Sequence, residues 1–175
     1  MNHDFKRLEK ADCLRLGASL VTEETNYRRL LRLAWRQNSY MKRQDVDRLE
    51  ANATDWSRAI PAADAARIAR ERLVSELAAK TGVTIPPGRV EDLLDYTDHQ
   101  AKSEVRTALT GLRRAAARLA RQNEINRTLA EFCLDLSREE TEVFKQAVLA
   151  DPKGAYDGNA NAAARGPGGV VQRQA

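Results

Sequence analysis

Few residues in this chain are spaced to do chemistry. The nearest approach to a metal site is Asp92, Asp95, Asp98 and His99, in which Asp95 and His99 stand one helical turn apart and can share a face. Carboxylates at the start of a helix also complement its dipole, and that simpler reading needs no metal. A carboxylate di-iron site requires two Glu-x-x-His pairs from different helices, and His3 and His99 cannot supply them. Cys13 and Cys133 have neither the close spacing of a zinc site nor the pairing pattern of a secreted scaffold, so both are expected to be reduced, buried thiols. No glycine-rich phosphate loop, HExxH pair, CxxC pair or serine elbow occurs. We expect no catalytic residue, no metal and no cofactor; an enzyme has nothing here to work with.

Binding is the chemistry that remains. Arg113, Arg114, Arg118, Arg121 and Arg127 form a basic stretch in which Arg114, Arg118 and Arg121 share a helix face. It reads as a solvated face, as a seat for an acidic protein, or as a nucleic-acid contact. No aromatic residue in the stretch could stack on a base, which weighs against the last. The formal charge of +4 gives little direction, because 25 acidic residues are interspersed among 29 basic ones.

The elements that must position these groups are helices. Aromatic residues make up 5% of the chain and charged residues 31%, the bias of long amphipathic helices rather than sheets, so the fold class is all-α. Cys13, Gly17, Leu20, Glu24, Tyr27, Leu31, Ala34, Asn38 and Met41 form one seam, widened by Leu16, Leu30 and Trp35, with Glu24 and Asn38 as polar misfits that fix register. Asp45 can cap a second helix after a short break, and Leu49, Ala53, Trp56, Ile60 and Ala63 continue the rhythm. Pro61 should kink or restart that helix. Ala66, Leu73, Val74, Leu77 and Ala78 carry it to Lys80, and Gly82 suits its C-terminal cap.

Thr84-Ile85-Pro86-Pro87-Gly88 punctuates the chain as a hinge. Arg89 to Tyr96 can form a short helix presenting Val90, Leu93 and Leu94. The last helix then begins near Asp98 with Val105, Leu109, Leu112, Ala116 and Leu119 at coiled-coil spacing. We therefore expect an elongated antiparallel helical hairpin and coiled-coil bundle with three long helices, over about 10–43, 45–81 and 98–150, within one domain, 1–150. The Gly-, Ala- and Asn-rich segment 151–175 has no apolar periodicity and should be a disordered tail. Nothing near Met1 resembles a signal peptide and no stretch is apolar enough to span a membrane, so a cytoplasmic protein is expected.

From Ile125 onward the last helix carries more apolar surface than one seam needs. Ile125, Leu129, Phe132, Leu136 and Val143 make one stripe, and Asn126, Ala130, Cys133 and Ser137 make its neighbour. Either both stripes are buried in a closed bundle or a homodimer, or one of them receives a partner.

Three runs occur in order along the chain. The first is Leu20-Val21-Thr22-Glu23-Glu24-Thr25-Asn26-Tyr27-Arg28-Arg29-Leu30-Leu31-Arg32-Leu33-Ala34, followed by Gln44-Asp45-Val46-Asp47-Arg48-Leu49; the second is Ala69 to Val83; the third is Asn123-Glu124-Ile125-Asn126-Arg127-Thr128-Leu129. Together they resemble the flagellar export chaperones of the FlgN type. The resemblance implies a cytoplasmic protein that binds the C-terminal helices of hook-filament junction proteins and delivers them to the flagellar type III export apparatus. On that reading Ile125, Leu129, Phe132, Leu136 and Val143 are the contact residues, while Asn123 and Asn126 orient the docked helix or mark register. Tyr156 is the residue matched to a contact with the export gate or ATPase components. A self-assembling coiled-coil protein is the alternative, and a basic nucleic-acid binder is the next.

Overall fold

Arg43 to Asp45 reverse the chain between two long helices, α1 (Lys10–Lys42) and α2 (Val46–Thr81). Gln44 adopts a positive φ of 53° to make the turn, and the Asp45 carboxylate accepts a hydrogen bond from the Arg48 amide at 3.2 Å, capping α2 as its sequence predicts. The computed structural model describes residues 7–86, 89–97 and 99–149. Among these, the remaining helices are α3 (Val90–Leu93), which runs into a 3-10 turn at Leu94–Tyr96, and α4 (His99–Leu149); there is no strand. The segment 151–175 and Pro87-Gly88 of the expected hinge lie outside the described residues.

The chain divides into two units, the first ending at Arg127 and the second starting at Thr128. In the first, cross-links fix the directions of the helices. Asp12 meets Lys80 at 2.6 Å, Arg15 meets Glu76 at 3.0 Å and Glu23 meets Arg70 at 2.5 Å, so α1 and α2 are antiparallel. Asn126 bonds to Ala34 while Gly111 lies against Glu24, so the first part of α4 runs parallel to α1. Three helices thus pack up, down and up.

Two apolar clusters fill this unit. Leu16 and Leu20 of α1 join Val74 and Leu77 of α2, Val105, Leu109 and Leu112 of α4, and Val90, Leu93 and Leu94, which the short helix delivers as expected. Leu30, Leu31, Leu33 and Ala34 join Ala59, Ala63 and Leu119. On both α1 and α2 the buried Glu23–Arg70 pair falls between the two clusters in sequence.

Three expectations are corrected. Trp35 is 51% exposed rather than part of the α1 stripe. On α2 the buried line runs through Asn52, Ala59, Ala63, Ala66, Arg70, Val74 and Leu77, leaving Ala53 and Ile60 exposed. Ala63, Ala66, Val74, Leu77 and Ala78 are buried as expected; the predicted line is one position out only at Ala53 and Ile60, because Asn52 and Ala59, a polar group and a small residue, take the core-facing places. Finally, α2 does not restart at Pro61. Pro61 and Ser57 are both exposed, so the Ser57 carbonyl that loses its amide partner can turn to water.

Candidate partner-binding surface

Where the first unit ends, a buried amide holds α4 to α1. Asn126 Nδ2 donates to the Ala34 carbonyl at 2.8 Å and to Gln37 Oε1 at 3.0 Å; Asn126 Oδ1 accepts from Asn38 Nδ2 and Gln122 Nε2, both at 3.0 Å. Both ends of the amide are satisfied within the chain. A buried polar group with that many partners tolerates one alignment of the helices, since a slide by one turn would strand several donors and acceptors together. Asn38 acquires its meaning here: the polar misfit of the α1 seam faces the polar misfit of α4.

Asn123 and Ile125 stand on the outside of the same turns, Ile125 at 46% exposure. Beside them the Arg127 guanidinium donates to Glu124 at 2.6 Å and holds that carboxyl below its ordinary range.

The second unit contributes the helical segment 128–149. Within it Thr141 donates to the Ser137 carbonyl at 2.7 Å and Arg138 pairs with Asp135 at 3.4 Å. Its apolar residues are turned outward: Phe132 is 64% exposed and Val143 65%, and Leu136 is exposed too. Leu129 is half-buried, as is Cys133, which was expected to be buried; Cys13 is buried and neither forms a disulfide. At about 100° per residue, Leu129, Phe132, Leu136 and Val143 fall within an arc of about 60° on this segment. Sequence reasoning missed Leu134, Phe144 and Val148, each more than half exposed. The signal was present in Val143-Phe144 and Ala147-Val148, adjacent apolar residues that widen the face beyond a single stripe.

The acidic cluster does not gather. Asp95 is bound by Lys102 at 2.8 Å, which lowers its pKa, and Asp92 pairs with Arg89 at 3.5 Å; Asp98 lies outside the described residues. Among the described residues no three metal-ligating side chains come together. What the surface offers is an amphipathic helix with exposed Phe and Val side chains, chemistry suited to holding another helix.

A model of the protein family described as FlgN protein matches residues 15–164. The chain belongs to the FlgN family. Its general role is therefore that of a flagellar export chaperone. The match spans the three runs that resemble FlgN chaperones, and it includes α2 and nearly all of α1 as well as all of α4. Comparison with curated proteins and with solved structures gives no match. No helix among the described residues is long and apolar enough to cross a membrane. Tyr156 falls inside the FlgN match but outside the described residues.

Proposed function

We propose that this FlgN-family chain acts in the cytoplasm, binds the C-terminal helices of hook-filament junction proteins along Ile125, Leu129, Phe132, Leu136 and Val143, and hands them to the export apparatus, with Tyr156 touching the export gate or ATPase components. The supporting observation is the outward-facing apolar arc of 128–149, above all Phe132 and Val143. Exposed apolar side chains repeated at helical spacing suit an amphipathic client helix. Asn123 is exposed but stands about 160° around the helix from Ile125 at about 100° per residue, away from the arc, so the client contact rests on the apolar residues. Asn126, whose amide is engaged with α1, takes the register role.

Magnitudes favour a complex that forms and releases. Burying five such side chains yields ~7 to 15 kcal/mol at ~1.5 to 3 each. Association and ordering cost ~4 to 15 kcal/mol, which leaves room for micromolar or somewhat tighter binding. The test is co-purification with junction-protein C-terminal fragments. Replacing Phe132 and Leu129 by polar residues should leave helicity intact and abolish capture; collapse of the fold would place them in a core instead.

A further inference from the structure

A groove runs between α1 and the first part of α4, on the side that α2 does not line. Its walls carry Arg28, Arg32, Arg106, Arg114 and Arg118, against the two acids Glu24 and Glu104. Glu24 is already neutralised by Arg28 at 2.6 Å. Arg32, Arg114 and Arg118 have no acidic side chain within ion-pair distance among the described residues. Trp35, 51% exposed, and Val21, 50% exposed, line the same groove. An open channel between two parallel helices, apolar within and basic along its edges, has the shape and charge of a fourth helix position in a bundle.

The helix that complements it is present in the same sequence. Along 128–149 the apolar arc of Phe132, Leu136 and Val143 is flanked by Asp135, Glu139 and Glu142 on one edge and Glu140 on the other, at about 100° per residue. Acids flanking an apolar stripe are the inverse of arginines flanking an apolar channel. We propose that this groove receives the 128–149 helix of a second copy of the chain, in a reciprocal dimer in which each copy gives a helix and takes one. Such an interface is isologous and closes at two copies. The inference goes beyond the client reading: the groove is a second surface, but the helix it takes presents the same Phe132, Leu136 and Val143 arc, so a dimer and a client helix exclude each other there. Sedimentation of the chain alone tests the dimer with no client present.

The test uses the full chain in sedimentation equilibrium from micromolar to near-millimolar concentration, at low and high salt, with circular dichroism as the check on folding. The account expects a dimer at low salt that weakens steeply as salt rises. It expects Arg114→Glu/Arg118→Glu to be monomeric, and Asp135→Lys/Glu139→Lys to be monomeric, each with wild-type helicity. Mixing the two variants should restore a dimer, since each reversed groove then meets a reversed helix. A wild-type chain that stays monomeric throughout overturns the proposal. So does a dimer indifferent to both charge reversals, which would mean the apolar arcs pair with each other, or a mixture of folded variants that fails to associate. Should either variant lose helicity, Arg114→Gln/Arg118→Gln and Asp135→Asn/Glu139→Gln replace the pair: each should weaken the dimer, and unchanged association would overturn the proposal.

Discussion

Glu23 of α1 accepts a hydrogen bond from Arg70 Nε of α2 at 2.5 Å, and the Glu23 side chain is only 2% exposed. An ion pair so deeply placed has lost most of its hydration, so its members depend on each other. Removing one partner should cost far more than removing both. Arg70→Met is expected to destabilise the chain by about 3–5 kcal/mol, with Glu23 left uncompensated. Glu23→Leu/Arg70→Met together should recover most of that loss. Urea denaturation of the three proteins is the check.

A second expectation concerns Asn126. Asn126→Asp keeps the size but replaces the donor that faces the Ala34 carbonyl and Gln37 Oε1 with an acceptor. Asn126→Leu removes both halves of the network. Each change leaves buried groups unpaired at about 1–3 kcal/mol apiece, and Asn126→Asp should be the more damaging because it also buries a charge. Thermal unfolding measures the order.

Gly111 offers a test of a close approach. A Cβ there would sit 2.6 Å from Glu24 Oε2, yet glycine inside a helix costs about 0.8–1.0 kcal/mol relative to alanine. Gly111→Ala should therefore stabilise clearly in a Glu24→Ala background and less in the wild type, where the Glu24 carboxylate must swing away. A double-mutant cycle reads the difference directly.

Acid should loosen the joint between the N-terminus of α1 and the C-terminus of α2. The Lys80 ammonium hydrogen-bonds Asp12 and lowers the Asp12 pKa from its ordinary 3.8. The folded state then binds fewer protons than the unfolded state near that pH, so stability rises with pH there. The contribution is present above the ordinary value and is lost as pH falls through the lowered one. Lys80, raised above its ordinary 10.5 first by its hydrogen bond to Asp12, behaves oppositely, its contribution fading as pH climbs through the raised value. Asp12→Asn should flatten the acid limb of stability measured against pH.

How much of this was legible in the sequence depends on whether the cause is local. Asp45 and Gly82 mark the ends of α2 through their own backbone chemistry, and the structure has Gly82 at φ 76° as the cap. Val105, Leu109, Leu112 and Leu119 declare their face by spacing alone. Glu23 and Arg70 could not be paired in advance, because the partners lie on different helices and the seam spacing singles out Glu24, which pairs with exposed Arg28, rather than the buried Glu23 beside it. The same holds for the face of α2. Ala59, Ala63 and Ala66 step along the core, but alanine also suits a solvated helix, and Ile60 beside them looked the better core residue. For Asn126 the spacing offered two roles, and only the position of Ala34, Gln37 and Asn38 across from it decides which atoms it meets.

The central claim is that the outward apolar arc of 128–149 holds a client helix. Isothermal titration of the full chain with a peptide of a hook-filament junction protein's C-terminal helix tests it most directly, comparing wild type with Phe132→Asp/Val143→Asp. The account predicts measurable binding to the wild type, and loss of at least about 3 kcal/mol of it in the variant, given ~1.5 to 3 per buried side chain, with helicity unchanged. Equal affinity for both proteins, or no binding to a folded wild-type chain, would contradict it.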